Sequence, residues 1–412
     1  MWCRKRRRSG AGAAGPVRPS VDTDGFLSPL PNSGRHMGPF PDNLLAAVLA
    51  TLLAPPLAVG GGGPPGPVPV TAGAAGPRPE IRDIGTLGGD WSEASGVNAD
   101  GWVVGESQVA PGRLHAISRH AFLWRDGRMT DLGTLGGTES AARDVNDRGQ
   151  VVGVAQFDSV RGRVGRFVDV SRRAFLWEEG RMRGLGTLGG ENSEAHAVND
   201  QGAVVGRAQV RPGRRHSTSY HAFLWSDGEM TDLGTLGGTE SVAFDVDEGG
   251  RVVGASQTEP GRDRRVEVHA FLWVDGEMRD LGTLGGRLSR AHALNDRGQV
   301  VGHSTTGDGE VHAFLWEDGR MRDLGTLGGR SSRAYDINDR GQIVGSSATR
   351  DGDVHAFLWE DGEMRNLGSL ADNSSANAIS DRGLVVGASR TERTRLGAAS
   401  VHAVLWEPNG AR

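Results

Sequence analysis

Seven equivalent positions in this chain carry six different side chains, and together those side chains could do chemistry. Each follows an alanine (Ala94, Ala142, Ala195, Ala243, Ala291, Ala334, Ala376), and they are Ser95, Arg143, His196, Phe244, His292, Tyr335 and Asn377. The residue before the alanine varies as well: Glu93, Ala141, Glu194, Val242, Arg290, Arg333 and Ser375. Cations, aromatic rings, carboxylates and an amide in one set can hydrogen-bond to, neutralise and stack on a polar ligand. Packing between near-identical units favours one solution used seven times, so divergence here points to a task other than packing. The alternative is drift at solvent-facing positions. The candidate ligand-binding residues are Glu93, Arg143, His196, Arg290, His292, Arg333, Tyr335 and Asn377. A lyase or glycosidase should show carboxylates or a His–Tyr pair that breaks the repeat. Glu93 and Glu194 come nearest and lie in different units, so no catalytic set is expected and the chain is read as not an enzyme.

Other chemistries fit the sequence less well. Six histidines recur at one position of the repeat, His120, His221, His269, His312, His355 and His402. Equivalent positions on separate units lie too far apart to share a metal bonded at about 2 Å, so each is expected to lock its own unit by hydrogen bonds. The segments Asp144–Gly149 and Asp336–Gly341 lack the alternating oxygen donors and distal carboxylate of a calcium loop and suit turns. GTLGG is not a phosphate-binding glycine pattern, since no helix follows it. Net charge is −5, which argues against nucleic acid. Lys5 is the only lysine, and the single cysteine, Cys3, cannot form an intramolecular disulfide. No metal and no cofactor are expected.

The variable positions are carried by a repeated frame. GTLGG begins at Gly85, Gly133, Gly186, Gly234, Gly282 and Gly325, with GSLAD at Gly368, so the period is 43 to 53 residues. HAFLW or a close variant begins at His120, Arg173, His221, His269, His312, His355 and His402, and VVG or IVG recurs between these blocks. In the fifth copy, strand A is SRAHALN from Ser289, and the turn DRG leads to strand B, QVVGHS. Strand C, VHAFLW, follows a loop, and the turn EDG leads to strand D, RMRDLGTL. Asp-Gly between C and D is a two-residue hairpin signal. His312, Phe314 and Trp316 alternate with Ala313 and Leu315, so both faces of strand C are largely apolar and each sheet needs neighbours on both sides.

These features predict an all-β chain: a seven-bladed β-propeller of four-stranded blades. A β-solenoid is the alternative, although its coils usually repeat at about 20 to 30 residues. The folded region opens with IRDIGTL (residues 81–87), which matches strand D, and ends with HAVLW, which matches strand C. The first strand is therefore expected to complete the last blade, a Velcro closure.

HAFLW, GTLGG and NDRGQVVG, recurring over residues 81–406, resemble the HAF-repeat family of bacterial proteins. The resemblance implies an extracellular repeat protein and adds no catalytic residue. Arg173 in copy 2 and Ala371-Asp372 in copy 7 depart from the pattern.

Residues 1–59 are expected to be a leader, 60–80 a Gly/Pro-rich linker, 81–406 the propeller and 407–412 a tail. The apolar run from Leu44 to Ala54, stopped by Pro55-Pro56, is too short for a bilayer span and fits the core of a signal peptide cleaved between Ala58 and Ala75. Met37 is an alternative start to Met1. A low-complexity leader that leaves the protein in the cytoplasm is the other reading. B-to-C loops of copies 7 and 1 to 4 carry arginines and could attract an anionic polymer. The expectation is a secreted, monomeric, non-enzymatic scaffold that binds a glycan, a cell-wall or other anionic polymer, or a protein on the face bearing these loops, with no nucleic acid and no stable membrane span. The alternatives are a lyase or glycosidase at the channel mouth and a purely structural adhesion module.

Overall fold

The computed structural model describes residues 79–110, 118–157, 171–210, 219–259, 266–391 and 400–407. The leader, nearly all of the linker, the tail past Glu407 and much of the arginine-bearing loops fall outside the described residues. Among the described residues every regular element is a strand, and no helix is long and apolar enough to cross a membrane. The protein is all-β, built from four-stranded antiparallel sheets.

The fifth repeat shows how the sequence makes one sheet, or blade. Strand A is Gly285–Leu294, B is Val300–Thr306, C is Val311–Glu317 and D is Arg320–Asp323. Asp318 and Gly319 take φ of 51° and 77°, the paired left-handed conformation of a type I′ hairpin, as Asp-Gly predicts. At the A-to-B turn, Gly298 N donates to Asn295 O at 2.9 Å with φ of +80°. Two boundaries differ from expectation. Strand A starts at Gly285, four residues before Ser289, and strand D stops at Asp323 instead of running through GTL. The stop has a local cause: Asp323 Oδ1 accepts the N–H of Gly325 at 2.7 Å, and Gly325 turns away with φ of +75°. The first three residues of GTLGG thus cross to the next blade, and its last two glycines begin that blade's strand A, Gly328–Ile337, where Ser332 Oγ accepts the N–H of Ala313 at 2.9 Å and donates back to Gly325 O.

Both faces of strand C are buried between sheets. Ala313 and Leu315 of one blade pack with Phe357 and Trp359 of the next. The same interlock recurs along the chain, and the phenylalanines Phe122, Phe175, Phe223, Phe271, Phe314 and Phe357 are fully buried. Ala403 and Leu405 of the last repeat pack in turn on Phe122 and Trp124 of the first. The strand Glu80–Asp83 pairs antiparallel with Val401–Glu407, with Ile81 opposite Trp406. Ala403 N donates to Ser92 Oγ at 2.9 Å, the same bond that ties each earlier pair of blades.

Candidate ligand site on the inner strands

The A strands of successive blades neighbour one another, that of the first repeat lying beside those of the second and the seventh. In every blade the pairing of A with B slips just after the alanine, as between Ala291 and Ala293 or Ala334 and Asp336. The skipped residue is the extra member of a β-bulge, a device that re-aims a side chain. The skipped residues are Ser95, Arg143, His196, Phe244, His292, Tyr335 and Asn377, the variable set. The glycine of VVG makes the slip possible: a Cβ on Gly302 would stand 1.9 Å from Arg290 O.

The third to sixth blades bring their bulge residues into one arc. His196 stacks on Phe244 with ring centroids 5.3 Å apart, Phe244 meets His292 at 5.1 Å, and Tyr335 stands edge-on to His292 at 5.7 Å. His292 Nε2 lies 2.9 Å from His303 Nδ1, and Tyr335 Oη lies 3.1 Å from Ser346 Oγ. Arg290 is buried beside this arc and Arg333 is half-buried. Burial, with Arg333 close by, pushes the Arg290 guanidinium down to about 10. Burial and the charges of Arg290 and Arg333 push His292 down to about 3, and His303 is driven well down for the same reasons together with its neighbour His292. Burial raises the Tyr335 phenol, which keeps its proton. This sector is therefore positive and holds neutral imidazoles. Among the described residues Arg333 has no hydrogen-bond or ion-pair partner.

The seventh, first and second repeats form a different sector. Asn377 Nδ2 donates to Ala94 O at 2.9 Å and to Glu93 Oε1 at 3.2 Å. Glu106 pairs with Glu93 across the A–B ladder and is bridged by Arg143 at 3.7 Å and Arg119 at 3.8 Å. Burial and the nearby Glu106 carboxylate push Glu93 up to about 8, against the pull of Arg143. Between the sectors, burial works to raise Glu194, yet Arg207 at 2.9 Å and His196 hold it below the usual carboxylate range. One residue further along the A strands, Asp144, Asp245 and Asp336 alternate with Gly96, Ala197, Ala293 and Ala378. Each aspartate accepts an N–H of the following blade, from Val198, Leu294 and Ile379 respectively. Burial pushes Asp144 up to about 6, Asp245 up to about 7 and Asp336 well up.

All eight candidate residues thus lie on the inner strands, in two groups: Arg290, His292, Arg333 and Tyr335 with His196, and Glu93, Arg143 and Asn377. Glu106, Arg207, His303 and Ser346 complete these groups and were missed. They share one position of strand B, directly after the glycine of VVG or IVG: Glu106, Val154, Arg207, Ala255, His303, Ser346 and Ala388 diverge there as the A-strand residues do. That divergence was a readable signal. The histidines of HAFLW behave as expected. His120, His221, His269, His312 and His402 each meet a strand-D aspartate through Nδ1 at 2.7–2.8 Å, and His355 meets Asn366 at 2.7 Å.

No family model and no curated protein matches the chain. Solved structures do. The β-propeller domain of the trilobed protease from Pyrococcus furiosus is 12% identical, with a TM-score of 0.40, over 68% of this chain and 99% of that one. A Mycobacterium tuberculosis puromycin-hydrolyzing peptidase is 13% identical, with a TM-score of 0.48, over 80% of this chain, which spans 55% of that peptidase. An ulvan lyase, a polysaccharide lyase bound to a GlcA(1-4)Rha3S unit, is 10% identical, with a TM-score of 0.39, over 79% of this chain and 93% of that one. These likenesses concern the fold alone. They correct one expectation: the structurally similar proteins are mostly enzymes, so reading this chain as not an enzyme has no support.

Proposed function

We propose that the chain is a closed seven-bladed propeller that binds an acidic glycan at the inner ends of its A strands. Closure is supported by the paired chain ends and by the apolar core that joins the last repeat to the first. The ligand reading rests on one observation: Arg333, half-buried beside Arg290, lacks a carboxylate partner among the described residues. A guanidinium taken partly out of water without an anion is costly unless a ligand supplies one. In the same arc the rings of His196, Phe244, His292 and Tyr335 offer faces and edges on which a sugar can stack. The apolar run from Leu44 to Ala54 and the HAF-repeat resemblance support export, which is where such polymers are met.

The test is binding of full-length protein to polygalacturonate, alginate and hyaluronate, with dextran sulfate and neutral dextran for comparison. Arg333→Ala is expected to weaken binding of the best uronic-acid polymer by about 1–3 kcal/mol. Arg365→Ala, on an outer strand, should leave it unchanged. Equal affinity of wild type and Arg333→Ala, at an unchanged melting temperature, would remove the site from this sector.

A further inference from the structure

The inner sector holds a His–Tyr pair that breaks the repeat, and it holds it beside two guanidiniums. We infer that the sector cleaves 4-linked uronic-acid polymers by β-elimination: Arg290 and Arg333 take the uronate carboxylate, His292 takes the C5 proton, and Tyr335 protonates the departing O4. The inference rests on the acidic-glycan reading and goes further by assigning the substrate class and the bonds that change.

Neither side chain is required by the frame. At the positions of His292 and Tyr335 the other repeats have Ser95, Arg143, His196, Phe244 and Asn377, and the slip between strands A and B is the same in each. The chain has only two tyrosines, and one of them stands here. Their rings lie edge-on at 5.7 Å, within the reach of a single pyranose ring. Each has a support from its own B strand: His303 at 2.9 Å from His292 Nε2 and Ser346 at 3.1 Å from the phenol. With Nε2–H donated to His303, the lone pair of His292 is on Nδ1, free to accept a proton.

The chemistry follows from the charges. A proton on carbon next to a carboxylate is weakly acidic because its removal puts a second negative charge on the carboxyl group. Two guanidiniums bound to that carboxyl group lower this barrier, since charge-assisted bonds strengthen as the charge develops. His292 meets the substrate neutral, because burial and the same two arginines push it down. Binding of the carboxylate cancels the charges that depress it and makes it a better base at the moment it is needed. Tyr335, raised by burial, arrives protonated and can serve as the acid. In the step itself the C5–H bond breaks and its electrons form the C4=C5 double bond. The C4–O4 bond breaks, and O4 leaves with the tyrosine proton. The proton on His292 then returns to the phenolate through solvent. No water is consumed and no oxidant is required.

The experiment incubates full-length protein with polygalacturonate, alginate and hyaluronate, and follows the ultraviolet absorbance of the unsaturated uronate end together with binding. At least one polymer should yield unsaturated product. Tyr335→Phe and His292→Gln, each with an unchanged melting temperature, should lower turnover about 100-fold or more with binding altered only a few-fold. Arg333→Ala should lose binding and turnover together. Binding without unsaturated product on every polymer would overturn the elimination and leave the ligand reading standing. Absence of both binding and product would overturn both. New reducing ends without the double bond, or full turnover by both variants, would also overturn it.

Discussion

Two of the places that histidine occupies among the described residues, strand C and strand A, behave oppositely. In strand C it stands at the edge of HAFLW, and in five of the seven repeats it meets an aspartate of strand D through the same bond. The hydrogen bond to Asp280 raises His269 above its ordinary range. On strand A, burial first and then the charges of Arg290 and Arg333 push His292 down to about 3. The outer histidine repeats because its partner repeats, and the pair clasps D to C. The inner histidine has no counterpart with the same partners. In a repeat protein, a polar residue that recurs together with its partner belongs to the frame, whereas one whose partners change from unit to unit is available for a ligand.

The sharpest way to break this contrast is to damage the frame. Phe314 is fully buried between two blades, and Phe314→Ala should cost about 3–5 kcal/mol, the usual price of an aromatic cavity. Thermal unfolding should show one lowered transition if the blades unfold together. A wild-type melting temperature would mean that the interlock of strand C contributes little.

A pH titration separates the two regions next. Glu93 stands at about 8 in the folded protein against an ordinary value of 4.5, with Glu106, Arg143, Arg119 and Asn377 around it. The folded state therefore binds more protons than the unfolded chain between these values. This contribution to stability is complete below about pH 4.5 and is lost as pH rises through about 8. Asp144, Asp245 and Asp336 act in the same direction. Glu93→Gln, neutral at every pH, should flatten the fall in melting temperature between mild acid and mild alkali. An unchanged slope would mean that Glu93 is ionised in the folded protein.

Much of the frame was legible because its signals are local. Asp318-Gly319 states its hairpin, and the alternation of His312, Phe314 and Trp316 with Ala313 and Leu315 states a sheet covered on both sides. The limits of the strands were less legible, because Asp323 ends strand D with a bond two residues on and not with a break in the apolar pattern. The site was half legible. Divergence marked the positions of strand A, but the grouping of Arg333 with His292 and His303 depends on a bulge, a cross-strand register and the next blade, none of which is local. The His–Tyr pair that would break the repeat is made by His292 and Tyr335 of two successive repeats, which only the contact between their A strands brings together.

The smallest expected effect concerns the seam where the first and last repeats meet. Elsewhere two bonds tie neighbouring A-to-B turns. An asparagine Nδ2 donates to the next blade, as from Asn98 to Asn146 O at 3.1 Å and from Asn338 to Ser380 O at 3.1 Å. A carboxylate accepts a backbone N–H of the preceding blade, as Asp147 does from Ala99 and Asp381 does from Asp339. Where Asp247 replaces asparagine, Arg251 pairs with it and donates to Asp296 O at 2.9 Å instead. At the seam Ser380 stands in place of the asparagine and Ala99 in place of the aspartate, with Leu384 where Arg251 or a glutamine would be. Leu384 nevertheless sits against Gly101, in the same relation as Gln150 to Gly202, so the turns are placed to bond and lack the groups. Among the described residues an exposed Arg382–Asp100 contact at 3.8 Å is what spans the two turns, and exposed pairs contribute little. Ser380→Asn should restore the bond to Asn98 O, and Ala99→Asp the bond from Asp381 N. Each should add about 0.5–1.5 kcal/mol. The double variant should therefore raise the melting temperature by a few degrees and slow amide exchange in residues 92–97 and 374–379. The same pair of bonds added where they already exist can have no such effect, so a rise confined to these two positions identifies the contact between the first and last repeats as the place that opens first. No change in either measurement would show that the apolar core between Phe122, Trp124, Ala403 and Leu405 already holds the seam as firmly as the rest.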